Sequence, residues 1–208
     1  MKNSKGIFSN TRNLVLISIL IALGAVLMLI EIPYPIVPFL KFDLSELVIL
    51  ITVELFGLVP AILVALFKSL VHVMVNGVTT PYAIGTITAF IASSTIAAFY
   101  MLAKKYFPAR KFSSIVIRFL IVITGFAAVL TICNYLFITP IYFGALWFTD
   151  IKDFTTLNSF MPGLSYDLGY GAAIAFVYIP FNALKGFLVL LVYEMIAPRV
   201  LHHAQDLL

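Results

Sequence analysis

The sequence predicts an all-α integral membrane protein with six transmembrane helices and both termini in the cytoplasm. The first observation is composition, since 62% of the 208 residues are hydrophobic and 11% are charged, with a mean hydropathy of +1.11. Soluble domains are about 45–50% apolar and about 25% charged. The second observation is that the apolar residues form five long blocks, and the third is that Lys and Arg are concentrated in alternate connections between them.

The blocks are assigned to helices in chain order. The first, 14–32, is too long and too poorly flanked for a cleavable signal peptide. The block 44–75 follows a proline-rich connection and exceeds the roughly 20 residues of one crossing. Gly57 and Pro60 divide it, because glycine suits a helix end and proline the first turn of the next helix. Helices are therefore expected at about 14–32, 44–58, 60–75, 82–103, 114–138 and 169–196, within one membrane domain spanning 1–208.

Basic residues give the predicted orientation, because cytoplasmic loops of membrane proteins carry an excess of Lys and Arg. With the N-terminus inside, the inner connections hold Lys2, Lys5, Arg12, Lys104, Lys105, Arg110, Lys111 and Arg199. The outer connections then hold only Lys41 and Lys152. The net charge of +4 therefore reflects membrane topology and does not indicate binding to nucleic acid.

Polar residues inside the last apolar block are the sharpest functional signal. Asn182 and Lys185 lie three residues apart, and hence on one helical face, just after Pro180. An ionisable group at membrane depth is costly and normally faces a cavity or a partner. Asn134 adds a buried amide in the fifth helix. These groups suit a ligand with several carbonyl, ring-nitrogen or hydroxyl groups, and interhelical packing is the alternative.

Lys68 and His72 form a second polar pair, four residues apart on one face of the third helix. Glu54 is expected to lie opposite Lys68 across the short turn at Gly57–Pro60. This arrangement predicts a structural ion pair, and a role in responding to substrate is the alternative.

Small residues form a stripe on the first helix, where Ser18 and Ala22 are followed by Gly24 and Ala25. Such stripes allow two helices to approach closely in lipid. Internal packing and docking to another membrane subunit are equally compatible with this pattern.

The longest outer connection, 139–165, is rich in aromatic residues and contains Trp147, the only tryptophan. We expect this connection either to cap a binding site or to form part of an interfacial aromatic belt.

Sequence patterns of catalysis are missing from the chain. There is no G-x-x-x-x-G-K-[ST], no H-E-x-x-H and no G-x-S-x-G. The single cysteine, Cys133, excludes an intrachain disulfide or a cysteine-based zinc site. The three histidines lack a carboxylate arrangement typical of metal sites. We therefore expect no catalytic residue, no metal and no cofactor.

The chain resembles the substrate-binding S-components of energy-coupling factor vitamin transporters, and within them the riboflavin-binding members. The resemblance covers about residues 14–196 and is most specific in the last of four stretches. These are Leu40-Lys41-Phe42-Asp43-Leu44-Ser45, Lys68-x-x-x-His72, Asn134-Tyr135-Leu136-Phe137 with Pro140 and Tyr142, and Pro180-Phe181-Asn182-x-Leu184-Lys185-Gly186. Where many such members read Gly-Glu-x-x-Asn-Phe, this chain reads Gly85-Thr86-Ile87-Thr88-Ala89-Phe90.

The resemblance implies a subunit of a bacterial cell membrane that is not an enzyme and captures riboflavin at the outer face for ATP-driven uptake. It implies a transmembrane coupling subunit and two cytoplasmic ATPases as partners. The substrate contacts that it implies are Lys41, Gly85, Asn134, Asn182 and Lys185. The contacts to the coupling subunit that it implies are Ser18 and Ala22.

Three alternative functions stay open at this point. An S-component for another vitamin, such as pantothenate, would lack the yellow colour of bound flavin. A small membrane enzyme acting on lipid or isoprenoid substrates would need clustered acids, and the outer candidates are Asp150, Asp153 and Asp167. A self-sufficient carrier is disfavoured, because no repeat relates the two halves of the chain.

Overall fold

A computed structural model describes residues 7–37, 39–80, 83–108, 111–143 and 168–206, the side chains of 202–206 excepted. This part of the chain is almost wholly helical, and five of its helices are long and apolar enough to cross a membrane. The prediction of a helical membrane protein is confirmed as a mostly helical fold with five or six apolar helices, and the count of six with both termini in the cytoplasm stays a prediction. The connection around Trp147, the three acids Asp150, Asp153 and Asp167, and Lys152 lie outside the described residues.

In the described residues, the main elements are seven α-helices and one short hairpin. The helices are α1 (Thr11–Leu29), α2 (Glu46–Phe56), α3 (Leu58–Asn76), α4 (Ile84–Tyr106), α5 (Phe112–Cys133), α6 (Thr139–Tyr142) and α7 (Tyr170–Asp206). The antiparallel strands β1 (Ile32–Pro33) and β2 (Lys41–Phe42) connect α1 to α2. The first helix ends at Leu29 and not at 32, because Ile32 pairs with Phe42 in this hairpin.

A single residue, Gly57, separates α2 from α3. Its φ of +88° lies in the left-handed region that favours glycine, and its N–H donates to the carbonyl of Val53. Pro60 lies in the first turn of α3, where its missing N–H has no intrahelical partner to lose. With 11 residues, α2 is about 16 Å long and spans roughly half of a 30 Å hydrocarbon core. Since almost all of its residues are buried, α2 is an interior helix.

Helix α5 continues into α6 through a π-helical turn at Asn134–Ile138. The N–H of Thr139 donates to the carbonyl of Asn134, five residues earlier. Pro140 explains the widening, because in a regular helix its ring would clash with the carbonyl of Leu136. Single π-helical turns inside α-helices are frequent at functional sites. This turn therefore indicates that Asn134 lies at a candidate functional site.

Aromatic rings hold the β1–β2 hairpin against the helices. The ring of Phe181 in α7 lies 4.9 Å from that of Phe42 and 5.4 Å from that of Tyr34, between centroids. On the other side, the ring of Phe39 lies 5.6 Å from that of Tyr142 in α6. Such pairs contribute about 0.5–1.5 kcal/mol each beyond the area they bury. The hairpin is therefore packed onto α6 and α7, and it covers one end of the helical bundle.

Candidate functional site

A cavity of about 290 Å³ lies beneath the β1–β2 hairpin, between α1, α3, α4, α5 and α7. Its apolar walls include Met28, Leu40, Phe126, Leu130 and Phe181. An apolar cavity with a few convergent polar groups is the usual form of a small-molecule site. All five residues that the sequence predicted for substrate binding line this one cavity: Lys41, Gly85, Asn134, Asn182 and Lys185.

Lys185 is buried and its ammonium group is paired. Its Nζ donates to Oδ2 of Asp43 at 2.8 Å and lies 3.6 Å from Oε1 of Glu46. Glu46 is 1% exposed, so its charge would be costly without this partner. The cation of α7 is thus tied to the connection that follows β2 and to the first residue of α2.

A second buried lysine completes this group of charges. Lys68 of α3 is fully buried, and its Nζ donates to the hydroxyl of Ser45. The Ser45 hydroxyl in turn donates to the carboxylate of Asp43. We call Asp43, Ser45, Glu46, Lys68 and Lys185 the ion cluster; its two carboxylates balance its two ammonium groups.

The predicted pairing of Glu54 with Lys68 is wrong. Glu54 lies 2.8 Å from Nζ of Lys104, with which it forms a half-exposed salt bridge. Glu54 precedes Gly57 by only three residues, so it lies beside the turn, whereas Lys68 lies about 16 Å farther along α3. Sequence reasoning missed Asp43 and Glu46 as partners of the two lysines, although two buried cations called for two buried anions.

The electrostatics of Asp43 follow from this arrangement. Burial raises the pKa of its carboxyl group, but the positive charges of Lys185 and Lys68 outweigh burial and hold the pKa well below its usual range. Because the folded-state pKa is lowered, the stabilisation from ionised Asp43 is present above the pKa of the unfolded chain, near 4, and is lost as the pH falls below it.

The two asparagines of the cavity differ in how they are bound. The Nδ2 of Asn134 donates to the carbonyl of Leu130 at 2.8 Å, and its Oδ1 accepts from the hydroxyl of Thr139 at 3.3 Å. Asn182 is 3% exposed, yet its Nδ2 has no partner among the described residues. The fold therefore fixes the orientation of Asn134 and leaves a donor of Asn182 to be satisfied from the cavity.

Lys41 and Gly85 lie nearer the mouth of the cavity. The side chain of Lys41 is about half exposed and is paired with Glu31, which also lines the cavity. The N–H of Gly85 donates to the hydroxyl of Thr80 at 2.9 Å. A Cβ at Gly85 would lie 3.2 Å from the Thr80 side chain, so glycine permits this close approach.

The small residues of the first helix divide between two faces: Gly24 and Ala25 are buried within the chain, Gly24 against the stem of Lys68, whereas Ser18 and Ala22 face outwards. Ser18 and Ala22 are exposed on α1, and neither lines the cavity. The hydroxyl of Ser18 donates to the carbonyl of Leu14 within its own helix. Exposed apolar residues, among them Val15, Ile19 and Val26, continue this outer face.

Comparison with known proteins identifies the family. The family described as "ECF transporter, substrate-specific component" matches residues 12–197, and the chain belongs to it. The chain is 28% identical to "Riboflavin transporter FmnP" of Bacillus subtilis (strain 168), over 89% of this chain and 90% of that protein. It is also 28% identical to "Riboflavin transporter RibU" of Staphylococcus aureus (strain TCH60), over 91% and 90%.

The fold is similar to that of a solved structure described as "Structure and mechanism of the S component of a bacterial ECF transporter". The TM-score is 0.68 and the sequence identity 25%, over 94% of this chain and 98% of that chain. Together with the apolar helices, the family makes this a multi-pass bacterial membrane protein.

The ion cluster generates a stability prediction. Lys68→Met removes one cation and leaves the buried carboxylates in excess, so it should lower the free energy of unfolding by about 3–5 kcal/mol. The double variant Lys68→Met/Glu46→Gln restores neutrality and should recover most of this loss. The measurement is the free energy of unfolding in detergent by denaturant titration.

Lys104→Met is the matched control for Lys68→Met, because its partner Glu54 is also a carboxylate but the pair is half exposed. Such surface pairs contribute about 0–1 kcal/mol. Equal losses for Lys68→Met and Lys104→Met, or no recovery in the double variant, would contradict the assigned role of the ion cluster.

Proposed function

We propose that this chain binds riboflavin in the cavity under the β1–β2 hairpin and serves as the substrate-binding subunit of an ATP-driven uptake transporter. Two relatives named riboflavin transporters, aligned over about nine-tenths of this chain, support the substrate. The convergence of Asn134, Asn182 and Lys185 on one apolar cavity supports its location. An aromatic ring system with carbonyl groups and a hydroxylated side chain fits apolar walls that carry amide and ammonium donors.

The charges that line the cavity favour a neutral ligand over an anionic one. Among the described residues, the carboxylates and ammonium groups that line the cavity belong to Glu31, Asp43, Lys41 and Lys185, and each lysine is paired with one of the carboxylates. The carboxylates and ammonium groups of this described wall therefore balance. An anion that enters beside Lys185 would have to displace Asp43 from this lysine, which costs free energy because the displaced charge of Asp43 stays buried. Riboflavin is uncharged at neutral pH, whereas its phosphate ester and pantothenate are anions.

The topology that we propose has six helices, α1 to α5 and α7, with both termini in the cytoplasm. The predicted excess of basic residues on the inner side supports this orientation. In that arrangement the cavity and the hairpin face the outside, where substrate is captured. Direct contacts to riboflavin are assigned to Lys41, Gly85, Asn134, Asn182 and Lys185.

Partner subunits are part of the proposal. A transmembrane coupling subunit would pack against the face of α1 that carries Ser18 and Ala22, and two cytoplasmic ATPases would supply the energy. The exposure of both residues and the small size of their side chains support this contact, because small residues allow helices to approach closely in lipid.

The substrate assignment is tested with a panel of ligands. Purified protein should bind riboflavin and quench its fluorescence. The affinity for flavin mononucleotide should be at least tenfold lower, and pantothenate should give no heat in titration calorimetry, because both are anions entering a neutral wall. A lack of binding to riboflavin at tens of micromolar protein would overturn the substrate. Equal affinity for riboflavin and its phosphate ester would contradict the charge argument.

Asn182→Ala tests the location of the site. The variant should weaken riboflavin binding by about 1–3 kcal/mol, because a polar group of the ligand loses its partner in a dry cavity. Loss of the Nδ2 donor should not lower the stability of the variant, because this donor has no partner among the described residues. Asn76→Ala is the control, since Asn76 is an exposed asparagine at the end of α3 that does not line the cavity. Unchanged affinity in Asn182→Ala would place the site elsewhere.

Ser18→Leu/Ala22→Leu tests the coupling surface. Bulky side chains on this exposed face should hold a partner helix away and abolish uptake in cells, while riboflavin binding to the purified subunit stays unchanged. Thr124→Leu is the control, because Thr124 is exposed on α5 and should affect neither measurement. If riboflavin binding were lost together with uptake, Ser18 and Ala22 would be needed for packing within this chain and not for contact with a partner.

A further inference from the structure

His72 is a buried polar residue in the cavity wall without a hydrogen-bond partner in the described part of the chain. It lies on α3, is 8% exposed and lines the cavity. Neither Nδ1 nor Nε2 has a partner there. A buried polar group left unpaired costs about 1–3 kcal/mol and calls for an explanation.

No member of the ion cluster is hydrogen-bonded to His72. Lys68, one turn earlier on the same face, donates from its ammonium group to Ser45. Among the described residues, Asp43 and Glu46 bind Ser45, Ser93 and Lys185. No group of metal-ligating side chains occurs in the part of the chain that the structure describes. The side chain is thus left facing the cavity with both of its ring nitrogens available.

The polar groups that line the cavity differ between the α3–α4 stretch, which carries His72, and the α5–α7 part of the fold. The stretch from α3 to the start of α4 contributes four threonines to the cavity lining: Thr79, Thr80, Thr86 and Thr88. The π-helical turn after α5 and helix α7 contribute the amides and the ammonium group of Asn134, Asn182 and Lys185, together with the phenol hydroxyl of Tyr178. The threonine hydroxyl groups and the imidazole therefore come from the α3–α4 stretch, whereas the amide and ammonium groups come from the π-helical turn and α7.

These two chemistries match the two parts of the proposed ligand. Hydroxyl groups and neutral imidazole both donate and accept hydrogen bonds, so they are complementary to a chain of hydroxyl groups. Amide and ammonium donors are complementary to the carbonyl and ring-nitrogen acceptors of a flavin ring. We propose that His72 is a substrate-binding residue that hydrogen-bonds a hydroxyl group of the ribityl side chain, an assignment that rests on riboflavin as the substrate.

Lumiflavin, which has the flavin ring but a methyl group in place of the ribityl chain, is the decisive probe. His72→Phe keeps a flat ring of similar size and removes both hydrogen-bonding nitrogens. It should lower the affinity for riboflavin tenfold or more, about 1.4 kcal/mol or more, and leave the affinity for lumiflavin within twofold of wild type. His72→Gln, which can still donate and accept, should retain more of the riboflavin affinity than His72→Phe.

The unfolding midpoint of the ligand-free protein separates binding from structure. Because the imidazole has no partner to lose, His72→Phe should not lower this midpoint. Asn76→Ala, near the end of the same helix and outside the cavity, is the control for both measurements. An equal loss of affinity for riboflavin and lumiflavin, or no loss for either, would overturn the role of His72 while riboflavin binding by the wild type still stands. If wild-type protein does not bind riboflavin, the proposed function fails and this assignment fails with it.

Discussion

The ion cluster is the constraint on which the rest of the structure depends. Lys68 and Lys185 lie at depths where an isolated ammonium group is not tolerated, and only Asp43 and Glu46 neutralise them within the described residues. These groups come from α2, α3, α7 and the connection after β2. Neutralising the four charges therefore brings these elements together in one arrangement, and two members of the cluster, Asp43 and Lys185, line the cavity.

The same pairing shapes what the cavity can recognise. Lys185 has three N–H donors; it donates to Asp43 and forms an ion pair with Glu46, so a ligand must share this cation with Asp43. Recognition then depends more on neutral donors and on the shape of the apolar walls than on charge. Asp43 follows directly after β2 of the hairpin that covers the cavity. The ion pair between Asp43 and Lys185 therefore connects this hairpin to α7.

Block length predicted most of the helices because four of the five apolar blocks have a length suited to one crossing of the membrane. The break between α2 and α3 at Gly57 could be predicted because glycine and proline affect only the helical turn in which they lie. The acid beside Lys68 was not predicted correctly, although register could have indicated which one lies level with it. Glu46 precedes Gly57 by eleven residues and Lys68 follows it by eleven, so the two lie level in an α2–α3 hairpin, whereas Glu54 lies level with Pro60. The π-helical turn and the β1–β2 hairpin depend on contacts between distant segments, which a single sequence does not display.

The unpaired polar groups of the cavity connect stability to binding. His72 and the Nδ2 of Asn182 are buried without partners in the described residues, and each such group costs about 1–3 kcal/mol in the ligand-free protein. A protein free to optimise stability alone would replace them with apolar side chains of similar volume. Their cost is offset only when a ligand supplies the missing partners, because anything that binds the folded state stabilises it. Among the described residues, the cavity thus offers three hydrogen-bonding atoms, the two ring nitrogens of His72 and Nδ2 of Asn182, that a polar ligand could satisfy.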